Sequence, residues 1–128
     1  MKKIVVKVER TETGFSAYAE KYAAFTTGKN SIELVRNMVE SLNLYFEAEG
    51  KGKRVTATDI SFEMEVTTIF EIFPVINVRA LAGRIGMNHT LLSQYATGKK
   101  KASSKQTEKI LDGIHEIGRE LSELNLIR

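Results

Sequence analysis

This chain of 128 residues predicts an α+β fold, a small sheet with one packed helix followed by an all-helical segment. Three observations carry that reading. The first stretch is β-branched and loosely alternating. A long capped amphipathic helix follows, with one more alternating segment after it. From about residue 67 the apolar period becomes that of helices, and the chain divides into residues 1–66 and 67–128.

Lys2 to Val8 is rich in valine and isoleucine and reads as a strand. Glu12-Thr13-Gly14 supplies turn chemistry, with glycine expected to take a positive φ. In GFSAYAEKYAAFTTG, Phe15, Ala17 and Ala19 share one face, which predicts one or two further strands ending at Gly28. Asn30 to about Phe46 reads as a helix. Asn30 is its cap, Glu33 completes an Asn-x-x-Glu variant of the capping box, and Leu34, Val35, Met38, Leu42 and Tyr45 recur at helical spacing. GKGK is a flexible connection, and Ile60, Phe62, Met64 and Val66 alternate with polar residues as a strand with one buried face does.

Four helix starts then follow. Thr68-x-x-Glu71 has the form of a capping box, with Pro74 as the stop. Asn77 caps a helix ending at Gly86, Asn88 caps another ending near Gly98, and Ser103-x-x-Gln106 opens a long helix to about Leu124. Each cap contributes on the order of 1 kcal/mol.

Composition bounds the function classes. A hydrophobic fraction of 42% with 27% charged residues is ordinary for a globular chain. No segment approaches the ~20 apolar residues of a membrane helix. Lys7 and Glu9 interrupt the opening apolar stretch, so it is not read as a signal peptide and a cytoplasmic protein is expected. The chain has no cysteine for disulfide or thiolate chemistry, and it has only two histidines, which argues against a structural metal site. No cofactor is called for. The net charge of +3 is unevenly spread. Residues 1–66 balance ten Lys/Arg against ten Asp/Glu, while Asn77 to Leu111 sets Arg79, Arg84, Lys99, Lys100, Lys101, Lys105 and Lys109 against Glu108 alone. Such a local positive field attracts polyanions.

Within that basic stretch, the run from Val78 to Thr97 meets the demands of a helix-turn-helix. It has small Ala82 where two helices cross, Gly86 at the turn, and Leu81, Ile85, Met87, Leu92 and Tyr95 at inward positions. The outward positions of the second helix are Asn88, His89, Thr90, Ser93, Gln94 and Thr97, all neutral hydrogen-bonding residues able to read base edges. Lys99, Lys100 and Lys101, together with the backbone amides around Gly98, are candidates to hold phosphates. Taken singly, His89 reads as a surface histidine, Arg79 and Arg84 as solvated helix charges, and Tyr95 as core. A helical bundle with a solvated polar face is the competing reading of the whole pattern.

In the last helix Ile110, Ile114, Ile117, Leu121 and Leu124 form a heptad stripe. It either pairs with a second copy, giving a homodimer or higher oligomer, or covers its own unit. Gly113 and Gly118 each cost roughly 1 kcal/mol against alanine there, which close helix approach would explain.

The chain resembles an antitoxin of the HicB type with a C-terminal Cro/repressor-like motif. The resemblance lies in MKKIVVKVE, GFSAYA, the segment ending TTG, SIELVRNMVESLNLYFE and FPVINVRALAGRIGMNHTLLSQYATGKKKAS. Where relatives carry a proline- and glycine-rich stretch after the second strand, this chain reads AEKYAAF. The resemblance implies a partial ribonuclease H-like first domain without nuclease activity that binds a HicA-type mRNA-cleaving toxin. It also implies a second domain that binds double-stranded operator DNA and represses the chain's own operon. The alternative is a stand-alone regulator whose first domain senses a ligand or dimerises.

An enzyme is not expected. Two-metal phosphoryl transfer needs clustered carboxylates, and Glu63 and Glu65 lie on a strand face more simply read as solvated, with Glu9, Glu20 and Asp59 scattered. RNA binding is disfavoured because the sequence offers no evident pair of exposed aromatics for stacking.

Overall fold

The computed structural model describes residues 2–128 and divides the chain after Phe73 into two compact units. In the first, β1 (Ile4–Arg10), β2 (Phe15–Ala19) and β3 (Phe25–Gly28) precede α1 (Ser31–Ala48). A short 3-10 turn at Ala57–Asp59, β4 (Ile60–Glu63) and α2 (Val66–Ile72) complete it. The sheet order is β3-β2-β1-β4, antiparallel except for β4, which lies parallel to β1.

Alternation and register explain the core. Successive strand side chains point to opposite faces, so Ile4, Val6 and Val8 of β1 fall on one side with Phe15, Ala17 and Ala19 of β2, all buried. Leu34, Met38, Leu42 and Phe46, one every four residues along α1, are buried in the same cluster. Each such side chain contributes about 1.5–3 kcal/mol by leaving water. Asn30 caps α1 through its side-chain oxygen, which accepts from Glu33 N at 2.9 Å. The Glu33 carboxylate reaches back to Lys29 N at 3.3 Å, one residue short of the cap. Beyond the GKGK segment, Val55 is buried and bonded through both backbone groups to the Asn43 side chain, at 2.8 and 3.1 Å.

Four expectations need correction. Gly14 does not take a positive φ. Glycine is required there because a methyl group would sit 2.6 Å from the Gly28 carbonyl oxygen. β4 pairs only to Glu63, although Met64 still packs on the core. Thr68 is no cap, because α2 starts at Val66 and Thr68 is buried inside it. Val66, Ile69, Phe70 and Ile72 bury their side chains, and this burial outweighs the local capping signal. Ile72 joins the core beneath the sheet, which is why the division falls after Phe73 and not after residue 66. Phe73 ends α2 outside the α region, as a residue before proline does.

The second unit, Pro74–Arg128, comprises α3 (Val78–Ile85), α4 (His89–Thr97) and α5 (Ser104–Glu123). Leu81, Ala82, Met87, Leu92, Tyr95 and Ile110 are buried, and Ile85 is half-buried. At Gly113 a methyl group would lie 2.3 Å from Ile85 Cγ2, so this glycine lets α5 press against α3. Gly118 has nothing within 4 Å and serves no such purpose. The stripe on α5 divides: Ile110 and Gly113 are buried, Ile114 and Ile117 are half-buried, and Leu121 and Leu124 stand 65% and 60% exposed. Among the described residues no helix is long and apolar enough to cross a membrane.

Candidate nucleic-acid interface

The α3–α4 pair is built by its caps. The Asn77 side chain accepts from Ala80 N at 2.9 Å and starts α3. The helix stops at Gly86, whose φ of 69° and ψ of 34° are left-handed. There Gly86 N donates to Gly83 O and Met87 N donates to Ala82 O at 2.9 Å, the paired bonds of a Schellman ending. Buried Met87 beside buried Ala82 supplies the apolar contact that accompanies it. Asn88 then starts α4, accepting from Thr90 N at 2.8 Å and Leu91 N at 3.3 Å. The chain therefore reverses within Gly86-Met87-Asn88, and the segment from Val78 to Thr97 is two rods and not one.

α4 buries Leu92 and Tyr95 and leaves His89, Thr90, Ser93 and Thr97 exposed with Gln94 half-buried. Residues three and four apart share a helix face, so these five form one polar surface. Two of the nine expected site residues are partly committed to structure. Asn88 spends its oxygen on the cap, and the Thr97 hydroxyl donates to Ser93 O at 2.9 Å. Among the described residues, the side chains of His89, Thr90, Ser93 and Gln94 find no hydrogen-bond partner.

α4 ends at Gly98, again left-handed at φ 82°. Gly98 N donates to Tyr95 O and Lys100 N to Gln94 O, both at 3.2 Å. Those amides are therefore occupied by the helix end and are not available to an anion, contrary to the expectation for this turn. The side chains of Lys99, Lys100 and Lys101 remain at the surface.

The basic stretch loses one member. Arg84 bonds Glu116 at 2.9 Å and also Glu120, so it fastens α3 to α5. Its pKa is raised, first by the hydrogen bond to Glu120 and then by that to Glu116. Arg79, Lys99, Lys100, Lys105 and Lys109 form no ion pair among the described residues. The second unit carries nine Lys/Arg against five Asp/Glu, a net of +4, whereas the first carries ten against eleven, a net of −1.

The scattered carboxylates do not assemble. Asp59 accepts from Thr56 N at 2.9 Å, and Glu20 pairs with Lys7 at 3.7 Å. Among the described residues there is no group of three His, Cys, Asp or Glu side chains able to hold a metal.

Sequence reasoning missed an aromatic pair. Tyr18 and Phe25 lie opposite each other on β2 and β3 and are 39% and 64% exposed. The inward alternation of Phe15, Ala17 and Ala19 placed Tyr18 outward, but only the register reveals Phe25 as its neighbour. No protein-family model matches the chain, and no curated protein matches it either.

Proposed function

We propose that this chain is a DNA-binding antitoxin of the HicB type. It represses its own operon and neutralises a HicA-type mRNA-cleaving toxin. One observation carries the DNA half of the reading: a short helix, set at a tight glycine turn against another, exposes a neutral polar face with exposed lysines just beyond it. α3 and α4 act as a helix-turn-helix, with α4 in the major groove. Thr90, Ser93, Gln94 and His89 meet base edges, Asn88 and Thr97 hold the helix in shape, and Lys99, Lys100 and Lys101 meet phosphates. Arg84 has no part in it, being engaged by two glutamates.

The first unit serves as the toxin-binding domain, with a partial ribonuclease H-like arrangement. Support for that arrangement comes from a three-strand antiparallel meander, a helix, and a fourth strand parallel to the first. The exposed end of the α5 stripe, Leu121 and Leu124, pairs with a second copy. Two reading helices about 34 Å apart would then meet an inverted repeat. Sedimentation of the Leu121→Asp/Leu124→Asp variant should give a monomer; an unchanged dimer would place the interface elsewhere.

A gel-shift titration on the duplex upstream of this gene tests the DNA reading. Lys99→Gln or Lys100→Gln should weaken binding to every sequence and lower the salt slope by about 1 per lost contact. Thr90→Ala or Gln94→Ala should instead cost ~1–3 kcal/mol at particular base pairs. Indifference to both classes of substitution would overturn the assignment of α4. The stand-alone regulator keeps the same DNA surface and differs in its partner. A small basic protein encoded beside this chain that co-purifies with it separates the two.

A further inference from the structure

We infer that the open face of the sheet, at Tyr18, Phe25 and the neighbouring edge of α1, is the docking surface for a basic protein that presents arginine or lysine side chains. The inference rests on the antitoxin reading and says where and by what chemistry the partner is held.

Both aromatic residues lie on the face opposite the core. Register sets Glu63, Lys7, Tyr18 and Phe25 in one row across the four strands. Residues directly opposite on antiparallel strands stand about 4.5–5.5 Å apart at Cβ, so Tyr18 and Phe25 are cross-strand neighbours on this exposed face. It continues around the edge of the sheet. Phe25 lines a groove of about 550 Å³ with Ala23, Leu44 and Ala48, and Leu44 is itself 58% exposed. Isolated exposed apolar residues are ordinary, but a patch joined across two strands and a helix marks an interaction site.

The edge limits how a partner can bind. Asn37 of α1 donates to Thr27 O at 2.9 Å, and Ser41 donates to Phe25 O at 3.4 Å. These side chains occupy outward carbonyls of β3, so an added strand could not pair along it. Contact must come through side chains.

Charge selects the partner. Glu9 and Glu63 lie on this face, Glu40 lines the groove, and the adjoining turn carries Glu20 and Lys21. Lys7, the one cation in the aromatic row, is already paired with Glu20 at 3.7 Å. Four acids against two bases repel a phosphate backbone, although the aromatic rings could stack on bases. The same rim attracts a cationic protein, whose arginine or lysine heads lie favourably over aromatic faces.

Calorimetric titration of the full chain with the small basic protein encoded beside it tests this. Phe25→Ser and Leu44→Ser should each weaken the complex roughly tenfold or more, as truncation of central anchors does. Glu40→Lys/Glu63→Lys should slow association several-fold at low salt and little at high salt. All variants should keep the circular dichroism and the DNA affinity of the unaltered chain. If the unaltered chain binds the protein and Phe25→Ser and Leu44→Ser bind it equally well, the surface is wrong and the antitoxin reading survives. No complex with the unaltered chain overturns the reading and this inference together. A single-stranded oligouridine that binds the unaltered chain and is lost in Phe25→Ser would replace the protein partner with nucleic acid and also overturn it.

Discussion

Beneath the sheet, Phe46, Leu34, Met38 and Leu42 are sealed from solvent, whereas the large side chains of the helical unit that reach that state are Leu92 and Ile110. The sheet unit gains stability from apolar volume. The helical unit has less to bury and depends on close approach instead: Ala82 is fully buried, Gly113 admits Ile85, and Arg84 ties α3 to α5. The first unit should therefore be sensitive to lost volume and the second to added volume. Their charge differs in the same way, −1 against +4, as expected if they face partners of opposite sign.

Leu42→Ala should break this contrast most strongly. It removes side-chain bulk from a fully buried site and should destabilise the sheet unit by about 2–5 kcal/mol. Thermal melts followed by near-ultraviolet signals of Tyr22 and Tyr45, which lie in the sheet unit's aromatic cluster, should show it. Gly113→Ala comes next. Better helix propensity offsets part of a clash that costs about 1–3 kcal/mol, and Ile85→Ala in the same chain should recover part of the loss. That loss should register on Tyr95 and leave the sheet signals in place. If each substitution moved both transitions equally, the division into independently packed units would be wrong. Asn88→Ala should have the smallest effect, about 1 kcal/mol from the lost cap, confined to the helical unit and read by amide exchange along α4.

The helical unit was the more legible of the two. Asn77, Gly86, Asn88, Gly98 and Ser103 are local signals, each acting within a few residues of where it stands, and all five mark the observed boundaries. Part of the sheet's core was legible for the same reason, because alternation sorted Phe15, Ala17 and Ala19 from their neighbours. What escaped depended on distant pairings. Thr68 carries a local capping pattern that packing overrode. The clamp from Arg84 to Glu116 and Glu120 spans more than thirty positions, and no pattern in α3 announces it. Tyr18 and Phe25 become neighbours only through the register of β2 on β3. Of the nine residues expected to form the DNA surface, the structure gives Asn88 and Thr97 internal hydrogen bonds, and it removes the Gly98 and Lys100 amides from the phosphate grip.

The central claim is that α4 reads base edges in a duplex. Its most direct measurement is fluorescence anisotropy of the full chain on labelled duplex from upstream of its gene. A scrambled duplex of the same composition is the competitor, and salt is varied. The account predicts that the upstream duplex wins by at least a thousandfold, that the preference falls sharply in Gln94→Ala, and that affinity for both duplexes drops with salt. Equal affinity for the two duplexes, unaltered by Gln94→Ala, would contradict it.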